Sequence, residues 1–205
     1  MSSCASSPAR FPKVALLALK IAALQVWFGK DADHAATCPR MLELAAGTDD
    51  VYTADRAARA YCLRPSSDPQ LIESAVTLAR RAVDLGKDHP DLQGYQLGLG
   101  IAEYRHGNFP SANQALSTVE KAGKDERLVQ DPARLFRAMS LFRQGKEAEA
   151  RQLFAEVEAQ MKPLPADERQ PLANAAGHDD VIVWLAYKEA KALLESNAKA
   201  VPAKP

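Results

Sequence analysis

Apolar residues recur at helical spacing along almost the whole chain. Ile72, Ala75, Val76, Ala79, Ala82 and Val83 follow an i, i+3, i+4, i+7, i+10, i+11 pattern. Ala150, Leu153, Phe154, Val157 and Met161 do the same over i, i+3, i+4, i+7, i+11. A helix brings such positions onto one stripe, with polar residues on the other side. No stretch shows the sustained alternation and β-branched enrichment of a strand. The pattern predicts an all-α chain.

Glycine and proline cut it into short segments at Gly29, Gly47, Pro65, Pro69, Gly86, Pro90, Gly107, Gly123, Gly145, Pro163 and Pro165. Between them the spacing predicts helices over 13–28, 31–46, 50–63, 69–86, 91–106, 109–122, 131–144, 147–162 and 178–195. Asp68, Asp131 and Asp179 read as N-caps or first-turn acids, favoured at the positive end of a helix. Pro39 should kink the second helix or make it start at Cys38 or Pro39. Residues 1–12 and 196–205 read as tails around one helical domain over 13–195.

The segments are not independent. Around Gly107 the chain reads Leu99, Gly100, Ala102, Tyr104, Gly107, Phe109, Ala112 and Leu116. Around Gly145 it reads Ala138, Ser140, Phe142, Gly145, Ala150, Phe154 and Val157. The two glycines stand 38 residues apart (145 − 107). The segment "SAVTLARRAVDLGKDHP" supplies the second helix of another copy, and "IAALQVWFGKDADHAA" places a glycine at the same bend.

These residues resemble the tetratricopeptide repeat, a helix–turn–helix unit with a period of about 34 residues and small side chains at fixed positions. The resemblance implies a right-handed α-solenoid of about four helix pairs with a C-terminal capping helix. Small residues at Gly100, Ala138, Ala112 and Ala150 would let paired helices cross closely. "RAMSLFRQGKEAEARQLF" and "HDDVIVWLAYKEAKALLE" are also similar to repeat arrays appended to bacterial, planctomycete-type serine/threonine kinases. There is no Gly-rich phosphate loop, H-R-D loop or D-F-G in the chain, so the resemblance implies at most a detached regulatory or assembly domain of such a system.

Charge narrows the partners. Lys plus Arg (26) balance Asp plus Glu (26), and no basic run exceeds Arg80-Arg81. That argues against nucleic acid, which selects a basic excess. Aromatic residues are only 6%, too few for single-strand stacking platforms. Cys4, Cys38 and Cys62 form neither a disulfide framework nor a zinc motif. They read as free thiols in a reducing, cytoplasmic setting, although a Cys38–Cys62 bridge stays open. "ARFPKVALLALKIAAL" has the charge order of a signal peptide, but Lys20 interrupts its apolar run and no small-x-small cleavage site follows. It is also short of a membrane span. The expectation is a first amphipathic helix, with a signal or anchor as the alternative.

Little in the sequence suggests catalysis. His34, His89, His106 and His178 fall on different segments, and "HDD" at 178–180 reads better as helix capping than as a metal site. Ser111, Ser117 and Ser140 lack a strained glycine elbow. "GYQLGLG" follows no strand, so Gly94, Gly98 and Gly100 indicate close helix packing, not a dinucleotide loop. No cofactor, metal or catalytic residue is expected.

One constellation remains. In tetratricopeptide stacks the first helix of each pair lines the concave face. Here that face would carry Leu97, Ile101, Tyr104 and Arg105, then Leu135, Met139, Phe142 and Arg143. Either these stripes are core between helices, or they form an apolar groove edged by arginines. The functional expectation is the groove: a non-catalytic scaffold that binds a protein or peptide partner there. The Lys and Asn of a carboxylate clamp are missing, so a chaperone C-terminal peptide is not the expected ligand. The reading also admits a homo-oligomer.

Overall fold

The structure is a computed structural model that describes residues 11–121 and 126–196. Among these residues there are nine helices and no strand: α1 (Phe11–Trp27), α2 (Asp31–Ala45), α3 (Val51–Cys62), α4 (Pro69–Leu85), α5 (Leu92–His106), α6 (Phe109–Lys121), α7 (Arg127–Arg143), α8 (Glu147–Glu158) and α9 (His178–Ser196). Gly123 and Cys4 lie outside the described residues.

Most ends fall where the breakers predicted. Gly29, Gly47, Gly107 and Gly145 close α1, α2, α5 and α7 with φ of 64°, 71°, 84° and 79°. A side chain is disfavoured in that left-handed region, so glycine ends these helices, and after α1, α5 and α7 the chain reverses in two or three residues. Asp68 caps α4 by accepting from the Gln70 and Leu71 amides at 3.0 and 3.1 Å, with Pro69 as the first helical residue. Asp50 does the same for α3 through Thr53.

Two boundaries, those of α7 and α8, differ from expectation, and at α2 the alternative of a start at Pro39 falls away. Asp131 is not an N-cap: α7 begins at Arg127, and both Asp131 and Pro132 lie inside it. The extra turn is held by Val129, which packs on the core, and by Arg127, which donates to the Gln160 carbonyl at 2.5 Å. α2 does not start at Pro39. It runs from Asp31 with the proline inside it. Its first turns are anchored by buried His34, whose Nε2 is 3.0 Å from the Ala60 carbonyl, and by the Cys38 thiol at 3.6 Å from the same oxygen. That packing offsets the hydrogen bond the proline removes. α8 stops at Glu158, and Met161 packs on the core from the turn beyond it.

Short connections fold α5 back on α6 and α7 back on α8, and neighbours in sequence pack along the whole chain. The crossings need small residues. A Cβ at Gly100 would lie 2.4 Å from Cγ of Leu116, and one at Gly98 would lie 2.6 Å from the Asp55 carboxylate. Ala112, Ala138 and Ala150 are fully buried. Gly94 meets nothing and does not share this role.

The odd-numbered helices also touch one another in order, α1 on α3, α3 on α5, α5 on α7 and α7 on α9. α9 then meets α1. Trp27 and Trp184 mark that closure, with ring centres 5.9 Å apart. The Trp27 indole donates to the Glu168 carbonyl at 2.8 Å, and the Lys188 ammonium sits 4.1 Å over its ring. The last helix therefore packs against both α7 and α1.

Candidate functional site

The predicted groove residues come together, but as core. Leu97, Ile101, Tyr104, Leu135, Met139 and Phe142 are all buried, with Leu135 and Met139 fully enclosed. Tyr104 meets Phe136 edge to face at 5.5 Å between ring centres. The open groove expected at these positions is absent, because these side chains are part of the buried core cluster.

Arg105 was expected at the edge of that groove and instead sits in its centre, with 3% of its side chain exposed. A buried guanidinium needs its charge and its N–H groups satisfied. Nε donates to the Cys62 carbonyl at 2.9 Å, and Nη2 donates to Glu189 Oε2 at 2.6 Å and to the Leu63 carbonyl at 3.4 Å. Nη1 donates to the other Glu189 oxygen. The cation also lies 5.2 Å from the Phe136 ring centre. One side chain thereby ties the end of α3, α5, α7 and α9 together. Arg143 is exposed and bonds the Tyr104 hydroxyl; burial pushes that phenol's pKa upward.

Several other charged groups inside the fold also have structural partners. Arg59 pairs with buried Asp55, whose carboxyl burial pushes above the usual range. Arg80 and Asn108 hold Glu103. Arg137 of α7 pairs with Glu120 of α6 at 2.8 Å. Burial raises the Cys38 and Cys62 thiols to about 12, so both are protonated and inert. Both are free cysteines. At "HDD", Asp180 accepts from the Gly177 amide at 2.7 Å and Asp179 lies 3.3 Å from His178. Among the described residues no three His, Cys, Asp or Glu side chains gather as a metal site.

The open surface lies elsewhere, between α2 and α4. A cleft of about 500 Å³ runs there, floored by Pro39, Leu42, Leu71 and Leu78 and rimmed by Glu43, Glu73 and Arg81. Arg81 is tied back to the Thr48 carbonyl and Asp49. At Pro39 and Leu71 the cleft adjoins a more polar cavity of about 520 Å³ lined by Asp31, His34, Tyr61, Arg64, Ser66 and Ser67. Local pattern in α2 and α4 gives no warning of it. α2 and α4 both pack on α3, and the gap is what remains where they diverge from each other.

No protein-family model, curated protein or solved structure matches the chain. Among the described residues no helix is long and apolar enough to cross a membrane.

Proposed function

We propose that the chain is a non-catalytic scaffold of the tetratricopeptide type, a right-handed stack of four helix pairs with α9 folded across its inner face, which binds a segment of another protein. The observation that carries this reading is the α2/α4 cleft. Its volume falls in the range of binding sites, its floor is apolar, and its rim is polar. Support for the repeat comes from the left-handed glycines that close α1, α5 and α7 and from the small residues at the crossings. The expected groove on α5 and α7 is replaced by this outer cleft. Glu43 and Glu73 on its rim favour a segment with apolar anchors and a basic residue, the opposite of the acidic ligand that Arg105 and Arg143 suggested.

The test is to pan the purified chain against a random peptide display library. Selected peptides should be apolar with at least one Lys or Arg. They should lose binding to Thr77→Trp, which fills the cleft from an exposed position and should melt like the wild type. Selected peptides that bind Thr77→Trp undiminished would place the site outside the cleft.

A further inference from the structure

The first helix carries a second, unrelated surface. On α1 and the turn just after it, Val14, Leu17, Ile21 and Phe28 are 49%, 58%, 41% and 48% exposed, although all four are large and apolar. They stand at i, i+3, i+7 and i+14 and so share one stripe.

The rest of the chain shows what such a stripe is for. Gly29, Gly107 and Gly145 end α1, α5 and α7 in the same left-handed geometry and so fix a common register. Twelve residues before the glycine stand Leu17, Tyr95 and Ala133; eight before stand Ile21, Leu99 and Arg137; five before stand Leu24, Ala102 and Ser140; one before stand Phe28, His106 and Gln144. On α5 and α7 these positions hold the helix of the preceding pair. The Tyr95 ring lies against Gly86 at the end of α4. Arg137 bonds Glu120 and Asn113 of α6. Ser140 and Gln144 both donate to the Phe109 carbonyl of α6, at 2.8 and 3.4 Å. The register checks itself at Ala22, Gly100 and Ala138, seven before the glycine, which are the small residues at the crossings.

Charge says which helix would fit. Within α1 the only charged residues are Lys13 and Lys20, which border one edge of the stripe. In the common register Lys20 corresponds to Gly98 and Lys13 to Asp91. Both of those face α3, Gly98 meeting the Asp55 carboxylate and Asp91 meeting Tyr52. Asp55 belongs to α3, beside the α4 seat, and at α1 the charges that a helix in that seat would meet are Lys13 and Lys20. A second copy of α1 laid antiparallel about a twofold would bring the two lysine edges side by side, which like charge opposes.

We propose that α1 is the docking face for an amphipathic helix of a partner protein, with acidic residues along one edge, seated where α4 sits on α5 and α6 sits on α7. This surface is separate from the α2/α4 cleft, and either site can fail without the other.

The test uses the full chain and a synthetic, fluorescein-labelled amphipathic helix matched to α1 in length, with leucines on one stripe and glutamates on one edge. A control helix has lysines in place of the glutamates. Fluorescence anisotropy should show the acidic helix binding at least about tenfold more tightly than the basic one. Leu17→Glu should abolish binding with an unchanged melt, because Leu17 is exposed. Lys13→Glu with Lys20→Glu should reverse the preference between the two helices. Equal binding of both helices, or binding that survives Leu17→Glu, would overturn the proposal. So would a wild-type dimer that Leu17→Glu splits in sedimentation, which would assign the face to a second copy. Flotation on phosphatidylserine vesicles that Leu17→Glu removes, without helix binding, would assign it to a membrane and overturn the proposal equally.

Discussion

The inner face of α5 and α7 and the outer cleft between α2 and α4 are built from the same kind of residue. Both present leucines and other apolar side chains at helical spacing. On α5 and α7 Leu97, Ile101, Leu135 and Met139 are enclosed, and Arg105 of α5 pairs with Glu189 of α9. In the cleft, Pro39, Leu42, Leu71 and Leu78 floor an open space of about 500 Å³. An apolar stripe marks a face that must be covered. What covers it is decided by elements far away in the chain.

The largest expected effect follows from the closed face. Met139→Glu places a carboxylate where no atom reaches solvent, and should cost several kcal/mol, enough to unfold the chain in a circular dichroism melt. An intact, cooperative melt would show that the face opens. Glu189→Ala comes next. It orphans a guanidinium that is 3% exposed, and should cost about 2–3 kcal/mol, less than the full penalty because the Cys62 and Leu63 carbonyls still accept. Urea titration with an unchanged midpoint would remove Arg105 as the tie between α5 and α9.

How much of this was readable from sequence differs by region. The local features were legible. Helices ended at Gly29, Gly107 and Gly145 because a left-handed residue leaves few alternatives to glycine. Ala112, Ala150 and Gly100 marked close crossings because small residues at helical spacing have few other uses. The start of α7 was not legible: the Asp131-Pro132 pair has the form of a cap and first residue, and only packing of Val129 and the Arg127 bond to Gln160 carry the helix further back. The fate of the inner stripe was not legible either. It depends on Arg105 meeting a residue 84 positions away, and Trp27 meeting one 141 positions away. Periodicity says that a face is apolar and is silent on such contacts. The α2/α4 cleft was missed for the same reason, since its walls come from two helices whose apolar residues are also needed for packing on α1, α3 and α5.

Smaller effects sharpen the comparison between neighbouring helices. Ala150→Leu, at a fully buried crossing, should overpack α7 against α8 and cost about 1–3 kcal/mol. A melting temperature equal to wild type would show that the crossing has room to spare. Asp68→Ala removes the cap that accepts two amides at the start of α4, beside the cleft, and should cost about 1 kcal/mol. Its measured denaturation midpoint should shift by less than that of Ala150→Leu, and a larger shift would mean that the α3–α4 turn also holds the cleft's shape.

The closed inner face and the open cleft can be compared directly by thiol reactivity. Met139→Cys and Thr77→Cys would be made separately in a Cys4→Ser chain, where buried Cys38 and Cys62 leave the introduced thiol as the reporter. Thr77→Cys should react with an aromatic disulfide reagent as fast as a small-molecule thiol, and Met139→Cys only as fast as the whole chain unfolds. Fast labelling of Met139→Cys in the native protein, at a rate like that of Thr77→Cys, would contradict the closure of the inner face.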